Sequence, residues 1–473
     1  EKQQAELAKD LTDKKDAMTK EEKNKIIEKT KQYKSNAFVN QELDNKIMHE
    51  LSVVDVSNLP NNYKKYTIND ESKDGVRYIT SESNINDYGK GRIMIDVSDI
   101  STDELGWLAL YKDIAGKMDT EKYTQENLAL NNSKFASSSL DIVTQNDGNE
   151  FVPYVIWKYE GFPDDSNEIF DIAYQILFKN DFSNQESLNG LLTQTLNSAQ
   201  LNFSQNAYSY ATKYAKGTSN LDDAYMDKVA GVDYVQFLRE VNDIMQNKPS
   251  QVIDKLNQIQ EKIYNKYNAR IIYSGSKDSI QKNEDAAQKF FAQIPSKEKV
   301  CADYTNIKAP YENTAFIINS TINYNGICAP LETLGVEYSG KTDVLVNCIY
   351  DILTSILTNN YNVYAMYRTS ADDCINFCTY RDPQITGTFD VYSKLGEIMS
   401  SMNVDQATLD NYIISVYSQN ISPGGDLHDA YWAAADYSNG DTPNVKQQKL
   451  NDMKNVTTQD FAEYAGAVMQ TPM

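Results

Sequence analysis

Val76-Arg77-Tyr78-Ile79-Thr80 and Arg92-Ile93-Met94-Ile95-Asp96-Val97, with Ser101-Thr102-Asp103-Glu104 close behind, decide the class of fold. The first two stretches are short, rich in β-branched and aromatic residues and divided by a polar segment. They read as two strands around a turn. The third stretch is a capping box, in which a hydroxyl and a carboxylate three residues on satisfy each other's backbone N–H groups. Leu105, Leu108, Tyr111, Ala115 and Met118 then share one side of the helix it starts. A strand pair feeding an amphipathic helix points to an α+β architecture.

Further along, Leu140 to Gln145 and Phe151 to Tyr159 flank Asn146-Asp147-Gly148-Asn149, a hairpin signal. Helices are expected over 166–178, 183–215 and 219–267, with Ile271-Ile272-Tyr273 as a closing strand. The series then restarts. Ala315-Phe316-Ile317-Ile318 reads as a strand region, and Thr342 starts a helix with two adjacent apolar stripes, Val344/Cys348/Ile352/Ile356 and Leu345/Ile349/Leu353/Leu357. Phe377 falls in a strand, and Asp382-Pro383 reads as the N-cap and first residue of another helix. The repetition predicts two related domains, 62–295 and 296–473, each a mainly antiparallel sheet flanked by helices. Residues 1–61 differ. The first 34 hold ten Lys against eight Asp and Glu, with a capping box at Thr19-Lys20-Glu21-Glu22, and read as a charged helical hairpin or linker.

Composition sets the outer limits. A chain of 473 residues exceeds one ordinary core, and 41% hydrophobic against 24% charged residues describes globular protein. No apolar run is long enough for a membrane-spanning helix. A net charge of −22 makes nucleic acid a poor partner and cationic peptides a good one. The region 296–473 alone holds 10 basic and 21 acidic side chains, so the bias extends to it. The 5 Cys form no C-x-x-C and read as free buried thiols in a reducing, cytoplasmic setting.

Catalytic motifs are scarce. The two His, His49 and His428, lie far apart and outside any H-E-x-x-H or H-x-x-E-H pattern, so the chain builds no imidazole zinc site. G-x-S-x-G is absent. Gly335-Val336-Glu337-Tyr338-Ser339-Gly340-Lys341-Thr342 does satisfy G-x-x-x-x-G-K-[ST]. Its setting opposes a phosphate loop: Pro330 and Glu332 interrupt the strand that should precede it, and Glu337 would sit among the phosphates.

Thr379-Tyr380-Arg381-Asp382-Pro383, then Gly440-Asp441-Thr442-Pro443 and Val456-Thr457-Thr458-Gln459-Asp460-Phe461, resemble stretches of the presequence-protease-like zinc metallopeptidases, family M16, subfamily C. Upstream, Ala207-Tyr208-Ser209-Tyr210-Ala211 and Gly231-Val232-Asp233-Tyr234-Val235-Gln236-Phe237-Leu238 resemble that subfamily's third domain, in the same order. The resemblance implies the C-terminal, non-catalytic half of such an enzyme, with the zinc held by an N-terminal half on the same or another polypeptide. Its function would be to close a chamber in which unstructured, cationic peptides are degraded. The alternative is a stand-alone inactive scaffold or peptide-binding subunit. Where the catalytic domain carries H-x-x-E-H, this chain has Ala109, Lys112 and Asp113, so no catalytic or metal residue is expected on it. The family's last domain presents an Arg and a Tyr to bound peptide within an R-x-x-G-G-A-Y-G-like stretch. Tyr364 matches that Tyr, while Thr358 stands at the Arg position and the glycines are absent. Tyr364 and Arg381 are therefore the expected substrate-binding residues, Arg381 having pairing with Asp382 or another acid near the helix start as its structural alternative.

Overall fold

In the computed structural model, residues 15–31, 55–61, 63–147, 150–309, 312–368, 374–402 and 404–470 are described. The chain divides into two compact units, Glu1–Leu59 and Pro60–Met473. In the first, residues 20–31 are helical after a bend at Met18. Thr19 Oγ1 accepts from the Glu22 amide at 3.2 Å while Glu22 Oε2 accepts from the Thr19 amide at 2.8 Å, the capping box expected there. The rest of the expected hairpin, and His49, lie outside the described residues.

The second unit opens with β1 (Ile68–Lys73), β2 (Val76–Glu82) and β3 (Gly89–Asp96). Helices α1 (Leu105–Ile114) and α2 (Gln125–Phe135) precede β4 (Ala136–Asp147) and β5 (Glu150–Gly161). Next come α3 (Ser166–Phe178), α4 (Gln185–Gln205), α5 (Ala207–Gly217), α6 (Leu221–Ala230), α7 (Val232–Asn247), α8 (Pro249–Ile263), β6 (Arg270–Gly275) and α9 (Lys277–Ala292). The strands form one sheet in the order β1-β2-β6-β3-β5-β4. The pair β2–β6 is parallel and the other pairs are antiparallel.

Two expectations change here. The strands at 76–80 and 92–97 exist but do not pair, because β6 lies between them. The hairpin partner of β2 is the polar β1, joined through Asp74 and Gly75, both at positive φ. An edge strand such as Ile-Asn-Asp-Glu-Ser-Lys lacks the alternation that betrays a half-buried strand. The long helices at 183–215 and 219–267 are each broken, at Asn206 and at Gly231 and Lys248. Pro249, with no N–H to donate, begins α8 and cannot continue α7. The hairpin of β4 and β5 is as expected, with Asp147 opposite Glu150, although Gly148 and Asn149 lie outside the described residues.

Both faces of the large sheet are buried. Tyr78, Ile93, Ile95, Val155, Trp157, Ile271 and Tyr273 belong to the core shared with α1, α3 and α6–α9. On the other face Ile79, Met94, Tyr154, Ile156 and Ile272 pack with Tyr431, Ala434 and Ala435 from a helix near the C-terminus. This double burial is why the strand sequences read as nearly continuous apolar runs.

The later region contains β7 (Gly326–Pro330), α10 (Leu331–Leu334), α11 (Gly340–Tyr361), β8 (Ala365–Arg368) and β9 (Cys374–Tyr380). Six helices follow: α12 (Thr386–Ser393), α13 (Leu395–Ser401), α14 (Gln406–Ile421), α15 (Asp426–Ser438), α16 (Pro443–Lys454) and α17 (Thr458–Gln470). Here the sheet has, among the described residues, three strands, antiparallel, in the order β7-β9-β8. Residues 315–318 form no strand: Ile317 is 98% exposed, and Phe316 turns aside onto Tyr214 at 4.9 Å. Phe377 lies in β9 and both stripes of α11 face the core, Ile356 less deeply than the rest. The whole is α+β, as expected. Among the described residues no helix is long and apolar enough to cross a membrane.

The phosphate-loop match dissolves in this setting. Strand β7 is an antiparallel edge strand, and Gly335 ends α10 in the left-handed conformation. Gly340 is required because a Cβ there would lie 1.9 Å from the Lys449 carbonyl oxygen. Lys341 Nζ is committed to Asp460 at 2.7 Å.

Candidate functional site

Helix α1 carries the positions where the resemblance locates a zinc motif. Ala109 is fully buried. Lys112 Nζ lies 2.6 Å from Asp113 Oδ1, and the Tyr234 hydroxyl donates to Asp113 Oδ2 at 2.6 Å. Burial, and then this carboxylate, hold the Tyr234 phenol well above its ordinary range. A methyl group, an ammonium and an already bonded carboxylate do not fit a zinc ion. Among the described residues no group of three or more His, Cys, Asp and Glu side chains could hold a metal. His428 stands in the first turn of α15 with its ring 6.2 Å from that of Trp432. Four Cys are buried and Cys301 is exposed, which corrects the expectation that all are buried. Burial pushes the Cys348 and Cys378 thiols up to about 12, so neither is a nucleophile at neutral pH.

The Tyr-Arg-Asp-Pro stretch lies at the end of β9, where alternation sends neighbouring side chains opposite ways. Tyr380 pairs with Ala365 and Cys378 with Tyr367, so Tyr380 and Tyr367 share one face of the small sheet, with ring centroids 5.6 Å apart. Tyr208 from α5 stacks on Tyr367 at 4.3 Å and meets Tyr380 edge-on at 5.6 Å. Tyr324 and Tyr364 lie 5.6 and 6.1 Å from Tyr380. Five tyrosines thus form one patch, with Tyr364 71% exposed and Tyr367 41% exposed. Partial burial, and then the neighbouring phenols, raise the pKa of Tyr367. It is neutral at physiological pH and able both to donate and to accept.

Arg381 follows with φ +53°, a left-handed conformation that costs a non-glycine residue roughly 1–2 kcal/mol. The turn places its guanidinium over the rings of Tyr364, at 5.7 Å, and Tyr380, at 5.5 Å. No carboxylate among the described residues pairs with it, in a chain of net charge −22. The structural alternative, pairing with Asp382 or another acid near the helix start, is therefore not adopted. Asp382 is fully buried and accepts from Asn325 Nδ2 at 2.7 Å, Thr388 Oγ1 at 2.6 Å and the Gln384 amide at 2.9 Å. It exchanges both backbone hydrogen bonds with Asn323. It caps no helix; α12 starts at Thr386, after Ile385.

Helix α11 ends at Asn362 in the left-handed conformation, which releases Tyr364 to the surface. Thr358, at the position of the family's Arg, donates to the Thr354 carbonyl at 2.6 Å inside that helix. The sequence therefore identified two members of the patch, Tyr364 and Arg381, that the fold brings together. It did not identify Tyr324, Tyr367 and Tyr380 as members, or Tyr208, which had marked only a domain. Pleat alternation across β8 and β9 is the signal that could have found Tyr367 and Tyr380. Chemically, exposed phenols and a guanidinium that no carboxylate among the described residues neutralises can stack on peptide groups and aromatic side chains, and donate to carbonyls.

Comparison with known proteins bears on the family and the fold. A protein named HypA from Clostridium perfringens is 22% identical over 445 residues, covering 91% of this chain and 45% of that protein. Presequence protease 1, chloroplastic/mitochondrial, of Arabidopsis thaliana is 19% identical over 309 residues, covering 64% of this chain and 28% of its own length. The chain thus spans less than half the length of these curated relatives. Among solved structures, the inactive domain of an M16 peptidase from Pseudomonas fluorescens superposes with a TM-score of 0.58 at 11% identity, over 86% of this chain and 95% of that one. Identity that low shows the fold alone. The model of the associated-domain family of M16 peptidases, subfamily C, matches residues 1–241, just over half of the 473, and the chain belongs to that family.

Proposed function

We propose that this chain is the non-catalytic half of a zinc-dependent metalloendopeptidase, closing a chamber for unstructured, cationic peptides and contacting them through Tyr364 and Arg381. The zinc would be held by an N-terminal catalytic half, since Ala109, Lys112 and Asp113 do not fit the ion. In this reading residues 1–61 link that half to two domains, 62–295 and 296–473, in a cytoplasmic protein that engages neither nucleic acid nor membrane. The observation that carries it is the exposed tyrosine patch crowned by Arg381, a cation with no carboxylate partner among the described residues of a strongly acidic chain. Charge draws cationic peptides in, and the patch supplies stacking and carbonyl contacts.

One observation favours the second reading, a stand-alone scaffold or peptide-binding subunit. Thr358 is bonded within α11 where the family's Arg would reach substrate. Mixing with the N-terminal half separates the two. Under the first reading, hydrolysis of an unstructured peptide appears that neither half supports alone, and Y364A or R381Q lowers it about three- to tenfold, the worth of one cation–π or stacking contact. No gain on mixing, with peptide binding retained, selects the second.

A further inference from the structure

The tyrosine patch does not end at Tyr367. Its ring also lines a cleft of about 550 Å³ between β8, α11 and α14. Tyr338 and Tyr350 supply further aromatic wall, Asn347 and Gln419 supply carboxamides, and Arg368 stands beside Tyr367 as the last residue of β8.

Arg368 is set for a ligand. Its Nη2 donates to Asn347 Oδ1 at 2.8 Å, and its guanidinium lies 5.9 Å from the Tyr350 ring centroid. Tyr350 is itself fixed, donating its hydroxyl to the Met366 carbonyl at 2.8 Å. These contacts orient the planar fork, and no carboxylate among the described residues pairs with it. The cleft does contain one, Asp343, which accepts from the Tyr338 hydroxyl at 3.0 Å. At the rim Lys449 lies 5.0 Å over the Tyr338 ring, its charge shared with Asp441 at 3.3 Å. A guanidinium fork with carboxamides beside it is the chemistry of a carboxylate attached to an amide.

We infer that this cleft is a carboxylate subsite: Arg368 takes a peptide carboxylate, an α-carboxylate at the C-terminus or an acidic side chain. Asn347 and Gln419 bond the adjoining peptide groups, and Tyr367 joins the subsite to the patch. The inference rests on the peptide-binding reading above and deepens it, adding a terminus or acidic anchor to a surface otherwise suited to cationic chain.

The test is fluorescence anisotropy of the full chain with a labelled unstructured peptide that lacks Asp and Glu, as free acid and as C-terminal amide, plus an amidated version with one Glu. The free acid should bind about tenfold more tightly than the amide, as one charge-assisted pair allows. R368Q should erase that difference, with an unchanged thermal midpoint showing that the variant is folded, and R368K should keep only part of it. Preference for the Glu-containing amide over the plain amide, again lost in R368Q, assigns the side chain as the source. Equal binding of all three peptides, or a preference that survives R368Q, overturns the subsite and leaves the peptide-binding reading standing. Binding of none of them overturns both.

Discussion

The rings of Tyr208 on α5 and Tyr367 on β8 are stacked, 4.3 Å apart and 18° from parallel. One lies on a helix and the other on an edge strand of four residues. So short a strand holds few ladder hydrogen bonds, and side-chain packing contributes much of what fixes it. Tyr380 joins this stack to the rest of the tyrosine patch, and the Tyr367 ring is also part of the wall of the Arg368 cleft. Geometry for binding and stability of the small sheet therefore share one contact.

Truncating that contact should affect both. Tyr208→Ala removes an aromatic pair worth roughly 0.5–1.5 kcal/mol beyond its buried area. The urea midpoint should fall, and peptide affinity should fall a few-fold with it. Tyr208→Phe keeps the ring and should remain near wild type in both measurements. A Phe variant as weak as the Ala variant would place the effect in the hydroxyl and contradict the stacking argument.

Asp382 offers a second prediction, because it is buried and no cation among the described residues pairs with it. Three donors converge on it, Asn325 Nδ2, Thr388 Oγ1 and the Gln384 amide. Asp382→Ala strands all of them, each at about 1–3 kcal/mol when no water replaces the acceptor. We expect a loss of several kcal/mol, read as a shift of the thermal midpoint. Asp382→Asn retains an acceptor oxygen but turns a second one into a donor facing donors, and should lie between. Peptide binding measured well below the midpoint should be unchanged in the Asn variant if Arg381 and Asp382 do separate jobs.

What the sequence made legible follows from range. Capping boxes at Thr19 and Ser101 are local, and both form as read. The stripes on α11 and the β4–β5 hairpin are nearly as local. The order of strands is not local: β6 enters between β2 and β3 from almost two hundred residues later, and nothing in either strand announces it. The site behaves the same way. Tyr364 and Arg381 were legible through a motif, whereas Tyr208 joins them through packing between distant elements. Asp382 misled because Asp-Pro is a good helix start by itself, and only the buried donors from Asn325 and Thr388 reveal its other use.

Asp227, in α6, makes stability depend on pH with a sign opposite to that of most carboxylates. Burial first, and the nearby Asp233 carboxylate second, raise it to about 6, against opposing help from the Val232 amide, Lys213 and Lys228. An unfolded chain releases this proton near the ordinary value of 3.8. Between the two values the folded chain holds a proton that the unfolded chain has lost. The contribution is therefore complete well below about 4 and disappears as pH rises through about 6, on the order of 3 kcal/mol in all. Asp227→Asn keeps an oxygen for the Val232 amide, which Asp227 Oδ1 accepts at 3.1 Å, and cannot ionise. Its urea midpoint should match the wild type near pH 3 and exceed it at pH 7.5. Asp460 supplies the contrast: although burial pushes it up, Lys341 and Thr457 leave it below its usual range, so its contribution is lost as pH falls. Asp460→Asn should therefore be costly at pH 7.5 and nearly neutral at pH 3, and finding both variants shifted in the same direction at pH 7.5 would overturn the assignment for Asp227.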